Sequence, residues 1–227
     1  VTAARVAALV PAYDAAATVG AVVRDTLGVV SPVLVVDDGS RDGTSEAARA
    51  AGADVIRQTP NGGKGAALVR GFRALVEHGF THAVTVDADG QHLASEIPAL
   101  LAASAAAPDA IVVGVRQKEG HEIHAAARAG NCIADALMHV IAGQALPDTQ
   151  SGFRVYPLPA TLALGAVGAR YDFETEVLLR AARHGLALVG VPVRVHYPPI
   201  AERVSHFEPW TDTLRIIGTV VRVLVGG

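Results

Sequence analysis

The chain has 227 residues, 51% apolar and 18% charged, enough to bury a substantial core as one α/β domain. Lys and Arg number 19 against 22 Asp and Glu, for a net charge of -3, and aromatics make up only 4%. Neither a global basic field nor a set of base-stacking platforms is present, which argues against nucleic acid as a partner.

In chain order, strands are predicted at 6–13, 32–38, 53–58, 82–87 and 110–116, with helices near 17–28, 43–51, 64–78 and 95–106 between them. The third helix carries Leu68, Phe72, Leu75 and Val76 on one face. Strands apolar on both faces and separated by helices imply a parallel sheet covered on both sides, the doubly wound plan of nucleotide-binding folds. Beyond residue 116 the pattern changes to a helix near 124–142, the loop LPDTQSGFRVYP, a helix at 173–184 and the strand LALVGVPVRVHY. No repeat, low-complexity tract or linker appears, so one domain is expected. Cys132, the one cysteine, has no Cys/His cluster around it and is read as a buried structural thiol in a reducing cytosol.

The two ends give further expectations. VTAARVAALVPAYD brings in Pro11 and Asp14 before an apolar segment is complete, so no secretory signal is expected. IIGTVVRVLVGG is interrupted by Arg222 and falls short of the ~20 apolar residues of a spanning helix. Leu214, Ile217, Val221 and Leu224 recur at helical spacing; this stripe is read as packing on the core, with an interfacial helix as the alternative.

In a doubly wound sheet ligands bind beyond the carboxyl ends of the strands, so polar residues there are the candidates. Asp37 and Asp38 close the second strand before GSRDGT, where Asp42 is placed to cap the next helix. Two adjacent acids at a buried strand end are costly unless something pairs with them, and a ligand hydroxyl or base N–H would serve. NGGKGAA lacks the Walker A spacing, which excludes a P-loop ATPase; Lys64 is either a helix-end charge or a neighbour of a nucleotide. In VTVDADGQH, alternation sends Asp87 and Asp89 the same way, and Gln91 can turn in from the loop. Two carboxylates, an amide oxygen and phosphate oxygens form the hard-oxygen set that Mg²⁺ or Mn²⁺ prefers.

Taken together, PAYDAAATV, VVDDGSRDGT, NGGKGAAL, VDADGQH, DTQSGFRVY and FETEVLLRAARHG resemble the family 2 glycosyltransferases of GT-A fold, in the family's order and over most of the chain. The nearest branch is that of dolichyl-phosphate-mannose synthases and polyprenyl-phosphate glycosyltransferases. The resemblance implies a nucleotide-sugar half over 1–116 and an acceptor half over 117–227 that ends in an amphipathic helix. It implies donor contacts at Pro11, Tyr13, Asp14, Asp37, Asp38, Lys64, Asp87 and Ala88, and a metal held by Asp87, Asp89 and Gln91. Acceptor-phosphate contacts are implied at Arg116, Arg128, Ser151, Arg154, Arg203, Ser205 and His206. Arginine suits that role through its planar, permanently charged fork. Asp89, Arg116 and Arg128 are then the catalytic candidates, with Asp172 or Glu174 as the base if the acceptor is a sugar hydroxyl.

The expected reaction is an inverting, metal-dependent transfer of a hexose from a GDP- or UDP-linked sugar to polyprenyl or dolichyl phosphate. A cytoplasmic enzyme with peripheral contact at the inner face of the membrane is expected. Ala15 and Ala16 depart from the acids that the family usually carries there, and IIGTVVRVLVGG does not match the transmembrane tail of many relatives. Transfer to a saccharide is the alternative, and a nucleotide-sugar binding module without catalysis is the non-enzyme alternative. A nucleotidyltransferase would need a basic, Gly-rich phosphate loop near the first strand, which PAYDAAATV does not supply.

Overall fold

The structure, a computed structural model, describes residues 4–117, 148–196 and 209–225. Among the described residues seven strands form one sheet: β1 (Val6–Ala12), β2 (Val33–Asp37), β3 (Asp54–Arg57), β4 (His82–Thr85), β5 (Ile111–Arg116), β6 (Arg154–Pro157) and β7 (Leu188–Val193). Among the described residues seven α-helices accompany them: α1 (Val19–Leu27), α2 (Thr44–Ala50), α3 (Lys64–Glu77), α4 (Ile97–Ala106), α5 (Leu158–Ala163), α6 (Asp172–Arg183) and α7 (Pro209–Val225).

The spatial order is β3-β2-β1-β4-β6-β5-β7. β1, β2, β3 and β4 are mutually parallel, and β7 runs parallel to β5. β6 is antiparallel to both its neighbours. The chain moves outward from β1 through β2 to β3, then returns to lay β4 on the other side of β1. That reversal opens a crevice at the carboxyl ends of β1 and β4, where a doubly wound sheet takes its ligand.

Period-two alternation divides the strand residues between two cores. Leu9, Leu34, Val36, Val113 and Tyr156 face Leu68, Phe72 and Leu75 of α3 and Phe173, Val177 and Leu178 of α6. Ala8, Val10, Val35, Val84, Val112 and Val155 face Val19, Val22 and Val23 of α1 and Ile97 and Leu100 of α4. On the first side, Phe72 sits 5.0 Å from Tyr156 and 6.4 Å from Phe173 between ring centres.

Three expectations need correction. DTQSGFRVYP is not all loop, since residues 154–157 form β6 between β4 and β5, followed directly by α5. The four-residue strand is buried throughout and contains an arginine, so it shows neither alternation nor a continuous apolar run. Val76 is 37% exposed and does not share the buried face of Leu68, Phe72 and Leu75. In α7 the core face is Thr219, Val220 and Val223, whereas Ile217 and Val221 are half exposed. The inner position falls one residue earlier, at Val220 and Val223, and the Leu214 and Leu224 side chains lie outside what the structure describes. The predicted helix near 124–142 and Cys132 lie outside the described residues.

The turn after β2 shows why an acid pair stands there. Asp37, fully buried, accepts the Ser40 N–H at 2.8 Å and the Ser45 hydroxyl. Burial alone would push its carboxyl up, but these donors and the Arg57 charge outweigh it and hold it below the ordinary carboxylate value. Because the folded pKa is depressed, the stabilisation is complete above the unfolded value of about 3.9 and fades as pH falls through the folded one. Asp37→Asn is expected to cost roughly 1–3 kcal/mol at pH 7, with the deficit shrinking below pH ~4. Urea melts at pH 7 and pH 3 check this; an equal deficit at both would show that the charge is not what holds the turn.

Candidate active site

Pro11, Tyr13, Asp14, Asp38, Lys64, Asp87, Ala88, Asp89 and Gln91 line one cavity of about 610 Å³ at the carboxyl ends of β1, β2 and β4. Pro11 lies in β1, Tyr13 and Asp14 in the turn after it, Asp38 just past β2 and Asp87 to Gln91 in the turn after β4, while Lys64 enters from the start of α3. Asp14 stands at φ 46, a left-handed conformation rare for a residue with a side chain. It is held there because its N–H donates to Ser40 Oγ at 2.9 Å and its Oδ1 accepts the Arg41 N–H at 2.7 Å. Asp38 accepts the N–H groups of Gly62 and Gly63, each at 2.7 Å, and the Gln58 amide. Its carboxylate therefore fastens the Gly-rich turn that opens α3.

Lys64, the first residue of α3, lies between two acids. Its Nζ is 2.7 Å from Asp87 Oδ1 and 3.2 Å from Glu174 Oε1, with side-chain exposures of 16%, 24% and 5% for the three. Burial disfavours the ammonium, but the charges of Asp87 and Glu174 dominate and raise its pKa. Burial likewise pushes Asp87 up, and Lys64 more than reverses this, holding the carboxyl at about 2. Asp89 is raised, first by burial and then by the Asp87 charge beside it. Two carboxylates whose charges oppose one another at the floor of a cavity are relieved by a cation.

The donor set, two carboxylates and an amide brought to one cavity, is the observation on which a divalent ion fits. Among the described residues no three His, Cys, Asp or Glu side chains converge into a complete metal cage. Asp87, Asp89 and Gln91 nevertheless line the same cavity. One or two carboxylates completed by substrate phosphates is how Mg²⁺ is commonly held.

Several predicted residues are committed elsewhere. Asp37 faces its own turn and not the cavity. Arg116 is joined to Asp148 by two charge-assisted bonds of 2.7 and 2.8 Å. The expectation that Arg154 is a phosphate contact does not fit its position. It is fully buried and its guanidinium donates to the backbone carbonyls of Ser151, Thr149 and Glu174 and to the Tyr156 hydroxyl, closing off the start of β6. Ser151 is buried beside it, with Oγ accepting the Phe153 N–H at 3.4 Å. Asp172 and Glu174 are both buried and neither lines the cavity. Arg128, Arg203, Ser205 and His206 lie outside the described residues.

The cavity also has members that the sequence reading passed over. Thr18, Asn61, Arg170 and Tyr171 line it, and Lys64 Nζ lies 5.7 Å from the Tyr171 ring centre. Arg170 and Tyr171 immediately precede the acidic start of α6, and that adjacency was the available signal. His92 stacks on Phe153 at 4.7 Å, and its Nδ1 accepts the Asp87 N–H at 3.1 Å. Burial pushes its imidazole down to about 4, so at neutral pH it is an uncharged brace for the Asp87–Gln91 turn. The same turn is tied to the segment after β7, where the His196 N–H donates to the Gln91 carbonyl at 2.9 Å.

Comparison with known proteins agrees with this geometry. The glycosyl transferase family 2 profile matches residues 7–157, two thirds of the chain. The chain belongs to glycosyl transferase family 2. An undecaprenyl-phosphate mannosyltransferase of Micrococcus luteus is 33% identical over 174 residues, 72% of this chain and 71% of that protein. A polyprenol monophosphomannose synthase of Mycolicibacterium smegmatis is 32% identical over 177 residues, 71% of this chain and 65% of that protein. Glucosyl-3-phosphoglycerate synthase of Mycobacterium tuberculosis, solved with Mn²⁺, UDP and glucosyl-3-phosphoglycerate, superposes with TM-score 0.76 at 20% identity, covering 98% of this chain and 80% of that one. The fold is thus that of the GT-A glycosyltransferases, and the chain is a glycosyltransferase, which removes the reading as a binding module.

Gly152, in the stretch read as a loop, is required by the site. A Cβ there would lie 2.7 Å from Asp87 Oδ2 and 2.8 Å from Lys64 Nζ, inside the ion pair. Gly152→Ala is expected to push the pair apart and lower kcat/KM by about 10²-fold, as small misplacements in active sites do. The accompanying loss of stability should be roughly 1–3 kcal/mol. Full activity with an unchanged melting temperature would show that the close approach is not needed.

Proposed function

We propose that this glycosyltransferase moves a hexose, with inversion, from a GDP- or UDP-linked sugar to the phosphate of a polyprenyl or dolichyl phosphate, assisted by Mg²⁺ or Mn²⁺. One observation carries the reading: neither acid in the position where the wider family places its base stands in the cavity. Asp172 is bound to the Arg170 N–H and the Thr219 hydroxyl, and Glu174 is held by Lys64. A sugar hydroxyl needs a base to take its proton, whereas a phosphate, with its second pKa near ~6, is already largely ionised. The names of the similar mannosyltransferase and phosphomannose synthase support the same acceptor class.

The roles of the chain's own residues follow from the geometry. The Tyr13–Asp14 turn and Asn61 enclose the end of the cavity nearest β2 and are assigned to the base and ribose. Asp38 sets the height of the Gly62–Gly63 turn beside them. Asp87, Asp89 and Gln91 would hold the metal, which when bound neutralises the diphosphate and makes the nucleotide a better leaving group. Lys64 and Arg170 are the cations that line the cavity among the described residues, and they face the charge that accumulates during transfer. Attack from the side opposite the diphosphate inverts the anomeric centre.

None of the described helices is long and apolar enough to cross a membrane. The outer face of α7, with Ile217 and Val221 half exposed beside Arg215 and Arg222, is assigned to peripheral lipid contact.

Asp89→Asn is expected to abolish most transfer while leaving the melting temperature near that of the wild type, and EDTA to do the same reversibly. Undiminished activity in EDTA would remove the metal from the reaction.

The acceptor is tested by offering polyprenyl phosphate in phospholipid vesicles and free saccharides to the same enzyme, with products weighed by mass spectrometry. Glucosylated or mannosylated lipid phosphate is expected, lost when Ile217 and Val221 are both changed to Ser. Transfer to a saccharide instead, lost by on the order of 10²–10⁴ in Glu174→Gln at equal stability, would establish the other acceptor class.

A further inference from the structure

We infer that Asp172 is a positioning residue, a latch through which α7 holds the Arg170–Tyr171 wall of the cavity in place. The inference concerns the chain's own mechanics and does not depend on which acceptor is used.

The observation is a chain of polar contacts through the interior. Arg222 Nη2 donates to Thr219 Oγ1 at 2.7 Å, and Thr219 Oγ1 donates to Asp172 Oδ2 at 3.1 Å. The other carboxylate oxygen, Oδ1, accepts the Arg170 N–H at 3.0 Å. Thr219 is fully buried and Asp172 is 7% exposed, so solvent offers neither group a ready substitute. One end of this chain is therefore a helix remote from the cavity, and the other is the backbone of a cavity-lining residue.

The loop that Asp172 holds is fastened by carboxylates from one helix. Glu176 Oε2 accepts the N–H groups of Val167 at 3.1 Å and Gly168 at 2.7 Å, and Asp172 takes the one at Arg170. From the opposite side the Ala66 N–H of α3 donates to the Ala169 carbonyl at 3.1 Å. The loop passes so close to the latch that a Cβ on Gly168 would fall 2.9 Å from Asp172 Oδ2 and 2.7 Å from the Phe173 nitrogen. Glu176 has its own partner in Arg180 on the same helix, at 2.7 Å. Among the described contacts of these clamps, the one from α7 is made to Asp172. If Thr219 cannot donate, a buried carboxylate oxygen loses its hydrogen bond, and the side chain that turns to find another releases the Arg170 N–H.

A general base would need to reach the acceptor; a latch needs only its two bonds. The test uses Thr219→Val, which removes the donor without touching the cavity, Thr219→Ser, which keeps it, and Val223→Ala. The last loosens the apolar docking of α7 and leaves the polar chain intact. Hydrogen exchange over residues 165–171, read at matched loss of melting temperature, is expected to quicken by about tenfold in Thr219→Val. It should stay near the wild-type rate in Thr219→Ser and Val223→Ala. The dissociation constant for UDP or GDP with Mn²⁺, whichever the wild type binds, is expected to rise about 3–10-fold in Thr219→Val only, less than one lost buried hydrogen bond. Equal exchange in Thr219→Val and Val223→Ala, or wild-type exchange in Thr219→Val, would overturn the latch. Failure of both nucleotides to bind the wild type would count against the donor reading, while the exchange result still decides the latch.

Discussion

The ammonium of Lys64, half-buried between Asp87 and Glu174, is the contact on which the rest of the site depends. It joins the start of α3, the end of β4 and the first turn of α6 at a single point. Removing one partner from such a cluster leaves an uncompensated charge in the interior, a penalty of about 3–5 kcal/mol. The chain accordingly surrounds it with residues that leave no room for error. Gly152 lies against the pair, and Arg154, two residues on, is buried with its charge spread over three carbonyls and a phenol. Tyr156, which receives one of those bonds, has its own hydroxyl pushed up to about 12 by burial and stays neutral.

This arrangement explains how a crevice between parallel strands becomes a binding site. The sheet alone supplies strand ends, and the turns beyond them are held by side chains acting on backbone. Asp37 fastens one turn, Asp38 a second, His92 a third, and the carboxylates of Asp172 and Glu176 the loop that closes the far wall. Each acid found near the cavity is thus either engaged with backbone N–H groups or paired with a cation, and this includes Asp87, paired with Lys64, and Asp89, which accepts the Gln91 N–H at 2.9 Å, although the two still stand beside one another.

The functional reading rests on a division among carboxylates that look alike in the sequence. Asp87 and Asp89 face the cavity, whereas Asp172 and Glu174 lie behind its wall. The proposed transfer to an anionic acceptor, which has no hydroxyl proton to remove, is built on this division.

Much of this was legible in the residues themselves. Strand runs apolar on both faces require a sheet covered on both sides, and acids at strand ends require partners there; both are local consequences of burial and alternation. Asp38, Asp87 and Asp89 were expected at strand ends on those rules, whereas Lys64 was left between a helix-end charge and a nucleotide neighbour and was drawn to the cavity only by the family resemblance. Tertiary structure decided what no local rule carries. It set β6 antiparallel between β4 and β5, because a four-residue strand has too few side chains to state its period. It chose which of two apolar stripes on α7 turned inward, because both have helical spacing and only the shape of the facing surface distinguishes them. It also committed Arg154, Asp172 and Glu174 to the interior, because an arginine or carboxylate at a motif position reads the same whether its partner is a substrate or the backbone of a loop far along the chain.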